Sequence, residues 1–456
     1  MARAKKEAAL TPEERLQAAL VPDWEWPYKL PENWCWTRMQ EIAQWGSGGT
    51  PSRKVSEYYN GDISWVKTGE LNDDYIFETE EHITQEAISH SSAKIYPTDT
   101  VVIAMYGATI GKVGILGIPA ATNQACACAI VRPSTDYKYL FYYAQSQKDD
   151  FIKKGKGGAQ PNISQEIIKF HQFPLPPLAE QHRIVDRIES LFAKLDEAKE
   201  KAQTVVDSFE TRKAAILHKA FTGELTAKWR RTHGLSLDTW KEVAADSLFE
   251  YVTSGSRGWA KYYDESGAVF IRMGNLDHGT IELDFSDIQH VKLPNKAEGQ
   301  RSRIRKNDIL ISITADVGMV GLVRNDDFEG YINQHIALAR PVMSESAEFI
   351  AWYLVSDIGL KQMQEKQRGA TKVGLSLNDI RALQLKIPLI EEQNEILKVI
   401  KMWIGKEQQA KEAAEAVLDQ IDLMKKSILA RAFRGELGTN DPSEESAVEL
   451  LKRTIL

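Results

Sequence analysis

The chain contains the segment Lys213-Ala-Ala-Ile-Leu-His-Lys-Ala-Phe-Thr-Gly-Glu-Leu225, and it repeats this segment as Lys425-Lys-Ser-Ile-Leu-Ala-Arg-Ala-Phe-Arg-Gly-Glu-Leu437. The two copies are offset by 212 residues (425 minus 213), which is close to half of the 456-residue chain. The same offset relates Glu180-Gln181 to Glu392-Gln393 without any insertion or deletion. An internal repeat of this kind predicts two copies of one module that are related by a pseudo-two-fold symmetry.

The repeat extends through two globular modules whose sequences differ strongly between short shared motifs. Runs rich in Val and Ile, bounded by Gly and turn residues, predict strands, and an amphipathic segment in each module predicts a helix. Each module is therefore predicted to be an α+β domain with a curved sheet. The corresponding motifs, in chain order, are Gly46-Ser-Gly48 with Thr253-Ser-Gly255, 64–71 with 269–276, 99–104 with 308–313, and Asn123-Gln124 with Asn333-Gln334.

A long apolar stripe follows each module. Its apolar side chains recur in alternating steps of four and three residues, and the polar exceptions on the two stripes are Arg212 and Glu407. A sustained period of about 3.5 residues predicts a coiled coil. The residues predicted to pair are Ile184, Ile188, Leu191, Leu195, Val205, Phe209 and Ile216 in the first helix, and Ile396, Ile400, Trp403, Val417, Ile421, Met424 and Ile428 in the second.

The two stripes have equal length and lie in one chain, so the simplest interpretation is that two long helices pair with each other. Antiparallel pairing would place the two modules at opposite ends of a rod. The alternative is that each amphipathic helix packs only on its own module, although the stripes are longer than a small domain requires. The predicted fold is therefore α+β, with two globular domains separated by two long helices that pair as an antiparallel coiled coil.

The repeat also divides the chain into segments. Thr11-Pro12-Glu13-Glu14 predicts the start of a short helix, because an N-cap residue is followed by Pro at the first helical position and by acid in the first turn. The predicted boundaries are an N-terminal extension over 1–30, a first module over 31–178, a central long helix over 179–226, a linker over 227–238, a second module over 239–390, a distal long helix over 391–438 and a tail over 439–456.

The composition predicts a cytoplasmic protein without a membrane span. The sequence contains no run of about 18 apolar residues and no apolar stretch behind its first residues, which argues against a membrane helix and a secretory signal. The cysteines Cys35, Cys126 and Cys128 form no CxxC pair, and Cys126-Ala-Cys128 is expected to be buried in a strand. The net charge of −7 argues mildly against nucleic acid, but the acid concentrates in the helices and the tail, which leaves basic faces for the modules.

The sequence contains no convincing catalytic constellation. It has no HExxH motif and no group of His and Cys residues at the spacing of a metal site. The segment 107–112 is one residue too short for a phosphate-binding loop and lacks the Ser or Thr after its Lys. Its one Pro-Pro pair lies between Leu175 and Leu178, unlike the Asp/Asn-Pro-Pro-aromatic motif of an amino-methyltransferase. The chain is therefore predicted to be non-catalytic and to bind no metal or cofactor itself.

Recognition chemistry, in contrast, is present in both modules. Four loops combine Gly with Lys or Arg and with amide or hydroxyl side chains; they are 46–54, 153–162, 254–261 and 367–374. Gly lets the backbone approach a ligand, Arg and Lys bind phosphate or guanine, and Gln or Asn can read adenine. One such loop alone is more often an ordinary turn, but its recurrence in both modules favours contact with DNA. Trp45, Trp65 and Trp259 are available for packing or stacking nearby. The candidate DNA-binding residues are Arg53, Lys54, Lys67, Lys112, Lys156, Gln160, Asn162, Arg257, Lys261, Arg272, Arg303, Arg305, Arg368 and Lys372.

The whole arrangement resembles the specificity (S) subunits of type I restriction–modification systems. The resemblance covers nearly the whole chain, and the helices with their flanking motifs are its most specific part. An extension similar to 11–15 occurs in one branch of that family. The motifs that carry the resemblance are Leu175-Pro-Pro-Leu-Ala-Glu-Gln181 with its echo Ile387-Pro-Leu-Ile-Glu-Glu-Gln393, and Ala-Phe-x-Gly-Glu-Leu at 220–225 and 432–437.

The resemblance implies a DNA reader without catalytic activity. Each module would be a target recognition domain that binds one half of a split, asymmetric site in double-stranded DNA, and the helices would act as a ruler and as the dock for two methyltransferase (M) subunits. Motor-nuclease (R) subunits would join this core. S-adenosylmethionine would serve the M subunits, and ATP and Mg²⁺ the R subunits. Two other interpretations stay open, namely a coiled-coil adaptor for protein partners and a self-sufficient DNA-modifying enzyme.

Overall fold

The computed structural model describes residues 11–155, 162–293, 298–367 and 374–455. The two longest helical segments follow the two modules, as the apolar stripes predict. The helices are α1 (Pro12–Ala19), α2 (Met39–Ile42), α3 (Gln85–Ser89), α4 (Tyr137–Ser146), α5 (Lys148–Lys154), α6 (Gln165–Lys169), α7 (Leu178–Asp207), α8 (Phe209–Phe221), α9 (Ala227–Thr232), α10 (Ala347–Val355), α11 (Asp357–Glu365), α12 (Leu377–Arg381), α13 (Ile390–Ala432) and α14 (Ala447–Ile455).

The strands are short and lie within the two modules. The central strands β7 and β17 are buried along their whole length, which fits their uninterrupted apolar runs. The strands are β1 (Cys35–Arg38), β2 (Ala43–Ser47), β3 (Tyr59–Val66), β4 (Asp74–Ile76), β5 (His82–Ile83), β6 (Ile95–Tyr96), β7 (Val101–Ala104), β8 (Val113–Leu116), β9 (Ala120–Thr122), β10 (Cys126–Val131), β11 (Gln172–Leu175), β12 (Lys241–Ala244), β13 (Phe249–Ser254), β14 (Tyr263–Asp264), β15 (Ala268–Ile271), β16 (Gln289–Val291), β17 (Ile309–Ser312), β18 (Val320–Leu322), β19 (Gly330–Ile332), β20 (Ile336–Pro341) and β21 (Gln384–Ile387).

The described residues form two compact units. Unit 1 takes the residues up to Glu200 and those from Leu418 onward, and unit 2 takes Lys201 to Val417. Each unit therefore contains one module and one part of each long helical segment.

Unit 1 is built from two main sheets and a two-stranded ribbon. The strand orders are β2-β10-β7-β8-β4, β5-β3-β9-β6 and β1-β11. Neighbouring strands are antiparallel except for β3 with β9 and β4 with β8. One large core joins Leu140 of α4 and Phe151 of α5 to Phe173 of the ribbon and Ile184 of α7. The first long helix is thus anchored in the core of its own module.

Unit 2 repeats this topology. Its strand orders are β13-β20-β17-β18, β14-β16-β15-β19 and β12-β21, and the parallel pair is now β15 with β19. Its main core joins Ile350 of α10 and Met363 of α11 to Leu385 of the ribbon and Ile396 of α13. Both modules are α+β. The order β2-β10-β7-β8 matches β13-β20-β17-β18, and β5-β3-β9 matches β16-β15-β19, while β4 and β6 in unit 1 and β14 in unit 2 are additions at sheet edges. The shared part fits the internal repeat, and the predicted fold class is confirmed.

The repeated Glu-Gln pair fastens the start of each long helix. Gln181 donates a side-chain hydrogen bond to the carbonyl of Pro176 (3.0 Å), and Gln393 makes the same bond to Pro388 (3.0 Å). Each bond reaches back five residues, from the first turn of the helix to the segment that follows the ribbon strand. The shared motif therefore fixes the angle at which each helix leaves its module.

The glutamates of these pairs, Glu180 and Glu392, are fully buried and are satisfied by equivalent segments. Glu392 accepts from Thr226, just before the linker (2.6 Å), and from the guanidinium of Arg230 in the linker (2.5 Å). Glu180 accepts from Thr439 in the C-terminal tail (2.7 Å) and from the guanidinium of Arg183 (2.9 Å). The tail thus completes unit 1 in the way that the linker completes unit 2.

The two long helical segments pack against each other in both units. In unit 1, the core that holds Ile188 also holds Leu429 of α13. In unit 2, the ammonium of Lys411 lies 5.0 Å from the ring centre of Phe209, and Arg212 Nε lies 2.6 Å from Glu407 Oε2. Partner numbers in α13 fall as those in α8 rise, so the pairing is antiparallel, as predicted. The two polar exceptions on the apolar stripes are thus each other's partners.

Three residues of the predicted pairing set on α13 are exposed. Trp403, Val417 and Met424 are 42%, 41% and 46% exposed, and their part in helix or subunit pairing stays a prediction. The residue after each of them, namely Ile404, Leu418 or Lys425, is half-buried, as is Lys411. Two seam positions are occupied by lysines whose ammonium groups lie over Phe209 and Phe192. A count of apolar residues cannot find a lysine at a seam.

The other residues predicted to pair are buried or half-buried. They are Ile184, Ile188, Leu191, Leu195, Val205, Phe209, Ile216, Ile396, Ile400, Ile421 and Ile428. Burial alone does not identify a residue's partner on the facing helix, so the partner of each one stays a prediction.

The first long helix has a break that the sequence pattern does not predict. Helix α7 ends at Asp207 and α8 begins at Phe209, with Ser208 between them. The Ser208 hydroxyl donates to the carbonyl of Thr204 (2.5 Å), and a serine that bonds to the preceding turn in this way weakens a helix. Arg212 Nη2 donates to the carbonyl of Val205 (3.0 Å), so the seam arginine satisfies backbone at the break.

Candidate functional site

The parallel strand pair of each module ends at the same kind of junction. In unit 1, the backbone N–H of Asn123, just after β9, donates to the carbonyl of Val66 at the end of β3 (2.9 Å). In unit 2, the N–H of Asn333 donates to the carbonyl of Ile271 at the end of β15 (3.1 Å). The sequence-matched Asn-Gln pairs therefore stand beside the end of the neighbouring strand in both modules.

A glycine crosses this junction in both units. A Cβ atom on Gly48 would lie 2.1 Å from the carbonyl oxygen of Thr122, and one on Gly255 would lie 2.2 Å from that of Ile332. No larger residue fits at either position without moving the backbone. The shared glycines thus hold the loops 46–54 and 254–261 against the strand ends.

A second strand end brings further loops to the same place. In unit 1, Met105, just after β7, donates its N–H to the carbonyl of Ala125 (2.8 Å) and accepts from the N–H of Ile163 (2.9 Å). In unit 2, Ile313 donates its N–H to the carbonyl of His335 (2.9 Å) and accepts from the N–H of Leu375 (2.8 Å). Several loops therefore meet at one edge of each module. We call them loop cluster 1 (48–54, 67–70, 105–112, 123–125 and 162–163) and loop cluster 2 (255–261, 272–275, 313–318, 333–335 and 374–375).

Within the Asn-Gln pairs, the asparagine has a structural role. Asn123 Oδ1 accepts from the N–H of Ala125 (3.1 Å), and Asn333 Oδ1 accepts from that of His335 (3.0 Å). These Asx turns leave the following glutamines as the outward-facing members, of which Gln124 is exposed. Neither glutamine was among the candidate residues from the sequence, although the repeated Asn-Gln pair was a signal for both.

Two basic residues of loop cluster 1, Arg53 and Lys67, are held by carboxylates. Arg53 binds Glu81 through both nitrogens (2.6 and 3.2 Å), and its guanidinium lies 4.4 Å from the ring centre of Tyr59. Lys67 Nζ lies 2.8 Å from Glu80 and 3.1 Å from Glu81. The hydrogen bonds that Lys67 donates to Glu80 and Glu81 raise the pKa of Lys67, and the bond that Arg53 donates to Glu81 lowers the pKa of Glu81. This loop cluster therefore presents cations whose orientation is set in advance.

Loop cluster 2 carries cations in matching places. Arg272 Nη2 lies 2.9 Å from Asp287 Oδ2. Lys261 is exposed, and its ammonium lies 4.8 Å from the ring centre of Tyr262. Arg257 is exposed in the loop that begins at the shared glycine. These side chains differ from those of loop cluster 1 in type and spacing, while the backbone junction beneath them is the same.

The remaining candidates fall into three groups. Lys54, Lys112 and Asn162 lie in loop cluster 1, and Asn162 forms a backbone bridge with Tyr106. Arg303 and Arg305 precede β17 and therefore lie at the strand end opposite to loop cluster 2. Candidates outside the described residues are Lys156, Gln160, Arg368 and Lys372.

Two tryptophans near the loops belong to the core. Trp65 and Trp259 are buried, so of the two predicted roles, packing or stacking, they fill the packing role. Trp65 Nε1 donates to the carbonyl of Gly49 (3.1 Å), which supports the glycine loop from below. All three cysteines are buried and form no disulfide, as expected for Cys126 and Cys128, and burial raises the pKa of the Cys35 thiol to about 12.

No helix in the described ranges is long and apolar enough to cross a membrane. Within the same ranges, no group of three or more His, Cys, Asp or Glu side chains is arranged to hold a metal ion.

The chain has two α+β modules with basic loop clusters at equivalent edges. Each module is joined to a long helix, and the two helices pair. This arrangement defines a DNA-reading subunit of the two-domain class. The chain belongs to the family described as the type I restriction modification DNA specificity domain, which matches residues 31–205 and 238–415. It is accordingly a DNA specificity subunit of a type I restriction–modification system, without catalytic activity of its own, and its modules are the two target recognition domains.

Known proteins of this kind are similar along most of the chain. The EcoBI specificity subunit of Escherichia coli is 25% identical over 409 residues, covering 85% of this chain and 80% of that protein. The EcoKI specificity subunit of Escherichia coli K12 is 23% identical over 428 residues, covering 90% of each. The crystal structure of the HsdS subunit from Thermoanaerobacter tengcongensis has a TM-score of 0.61 at 20% identity and covers 91% of this chain and all of that one. A chain from a study of complex assembly in a type I system has a TM-score of 0.67. The structural likeness supports the fold.

Proposed function

We propose that each unit reads one half of a split, asymmetric site in double-stranded DNA through its loop cluster. The observation that carries the proposal is a repeated backbone junction that bears different side chains in the two units. A common framework with different polar groups fits two half-sites that share the geometry of DNA and differ in sequence. Arg53 in unit 1 and Arg257 in unit 2 are the leading candidates for base contacts, because arginine binds guanine in the major groove through two hydrogen bonds.

The paired helices are proposed to set the gap between the half-sites. A helical stretch from Ile184 to Ile216 rises about 50 Å at about 1.5 Å per residue. At about 3.4 Å per base pair this length corresponds to about 15 base pairs. Two half-sites of a few base pairs and the gap between them fit this span.

The helices are also proposed to dock two M subunits, which R subunits then join. Each unit leaves apolar side chains of α13 exposed outside the seam: Met402 and Trp403 in unit 2, and Leu423 and Met424 in unit 1. Exposed apolar residues on a helix whose other face is already paired fit a protein partner. S-adenosylmethionine is proposed to serve the M subunits, and ATP and Mg²⁺ the R subunits, in the cytoplasm.

Single-molecule methylation sequencing tests this function. DNA from cells that carry the chain with its neighbouring M subunit should show a bipartite methyladenine motif that disappears when the chain is deleted. The wild-type motif would reveal both half-sites and the gap. An active M subunit that leaves no such motif would overturn the proposal and favour a coiled-coil adaptor for protein partners.

A further inference from the structure

Two basic residues occupy the same position in the two loop clusters, although the modules share few residues. Lys67 follows the end of β3, and Arg272 follows the end of β15. The backbone N–H of each donates to the side chain three residues later, to Glu70 (2.6 Å) and to Asn275 (2.8 Å). The backbone that carries each cation is therefore fixed in the same way, next to the junction with the Asn-Gln pair.

Each of these cations is paired with an exposed carboxylate from the segment that leads into the neighbouring antiparallel strand. Lys67 Nζ lies 2.8 Å from Glu80, which is 76% exposed, and Arg272 Nη2 lies 2.9 Å from Asp287, which is 88% exposed. Ion pairs this open to solvent are weak. Another anion that approaches the loop cluster can therefore replace Glu80 or Asp287 at little cost, while Lys67 keeps its second contact, with Glu81 (3.1 Å).

The position of these cations indicates which part of DNA they meet. The two halves of an asymmetric site differ in their bases and share the sugar-phosphate backbone. A charge that both modules hold at one place fits the shared feature, and the side chains that differ between the modules fit the bases. We propose that Lys67 and Arg272 bind phosphate groups of the two half-sites, and that Glu80 and Asp287 hold these cations until a DNA phosphate takes the carboxylate's place.

This inference rests on the proposed reading of DNA by both units, and it has a consequence for discrimination. A carboxylate that loses its partner beside a phosphate opposes binding, because two negative charges then lie close together. Glu80 and Asp287 therefore weaken attachment to DNA of any sequence. Base contacts in the correct site must then supply the missing affinity.

The first test changes the cations. Lys67→Gln and Arg272→Gln are introduced separately into the full chain, which is purified with its M subunit, and binding is measured by fluorescence anisotropy on a duplex that carries the wild-type motif. Each change should reduce the slope of log K against log salt by about 0.9 and leave the bases of the methylated motif unchanged. A motif that changes at one position would show a base contact and would overturn the phosphate assignment for that residue.

The second test changes the carboxylate. Glu80→Gln should raise affinity for a duplex without the motif by about twofold to fivefold, the range expected for loss of an exposed ion pair. Glu78→Gln is the matched control, because Glu78 is exposed, carries the same charge and lies two residues away. Asp287→Asn should act like Glu80→Gln in unit 2. Equal effects of Glu80→Gln and Glu78→Gln would reduce the result to general charge and would overturn the holding role.

Failure of this inference can be told from failure of the proposed function. If the wild-type complex leaves no bipartite methylation motif, the reading function itself is wrong. If the wild type leaves a motif and the variants change its bases, or their salt slopes equal that of the wild type, only the phosphate assignment is wrong. Circular dichroism of each variant confirms that these surface substitutions leave the fold intact.

Discussion

Replacing Arg230 by Met should destabilise unit 2 by about 3 kcal/mol, because it leaves a buried carboxylate without its cation. Glu392 is fully buried, and Arg230 Nη1 lies 2.5 Å from it. Two neutral donors remain, the hydroxyl of Thr226 (2.6 Å) and the indole N–H of Trp240 (3.0 Å), which place the cost at the lower end of the range for a broken buried pair. The double variant Arg230→Met/Glu392→Gln should recover to within about 1 kcal/mol of the wild type.

Hydrogen exchange followed by mass spectrometry measures this cost in the affected unit. Peptides from β17 and β20 should exchange about 100-fold faster in Arg230→Met, and peptides from β7 and β10 of unit 1 should not change. Arg183→Met is the matched comparison: Glu180 is buried in the same way, but Arg183 is partly exposed, so we expect a loss of about 1 kcal/mol in unit 1. If the single and the double variant at Arg230 exchange equally fast, an unpaired charge is not the cause and the reasoning fails.

Three further outcomes are expected. Burial, and then the nearby Lys154, lower the pKa of His171 from 6.5 to about 4, so the unfolded chain binds the proton first. Unit 1 should therefore lose about 3 kcal/mol as the pH falls from about 6.5 to about 4, and urea titrations of the wild type and His171→Gln should diverge in that window. Ile404→Ala should destabilise unit 2 by about 1 kcal/mol more than Trp403→Ala, because Ile404 is half-buried and the larger Trp403 is exposed. Thermal melts that reverse this order would show that Trp403, and not Ile404, packs in the seam. Removal of one heptad from each long helix should shorten the gap in the methylated motif by about 3 base pairs, because about 10 Å of helix is lost; methylation sequencing that finds the same gap would remove the ruler.

The helices show where sequence patterns suffice and where they do not. The period of 3.5 residues predicts both helices and their pairing, because apolar spacing repeats over several heptads in each. It does not predict the seam at Lys411 and Lys425, since a lysine counts as polar in the sequence and its position over a phenylalanine ring depends on the facing helix. The pairing of Arg212 with Glu407 has the same origin, because each residue looks like a defect until the other helix is present.

The sequence predicted the kind of site, a recognition surface made of loops, but only part of its residues. Gly, Lys and Arg in recurring loops indicate a recognition surface, and most candidates among the described residues lie in the two loop clusters. Arg303 and Arg305 lie at the other strand end, because a local run of basic residues carries no information about which end of a strand it occupies. The sequence left open whether Trp65 and Trp259 pack or stack, and both are buried, because an aromatic residue near a loop faces the core or the solvent according to the sheet that covers it.

The sequence by itself determined the repeat, the α+β class, the two long helices and the family, because each of these depends on spacing and order within one chain. The tertiary structure alone decided which side chains share a surface. It brings Gly48, Asn123 and Met105 to one edge in unit 1, and it gives Lys67 and Arg272 equivalent places with carboxylate partners. The physical reason is that strand register and sheet order, which join residues far apart in the chain, are set by packing of the whole module.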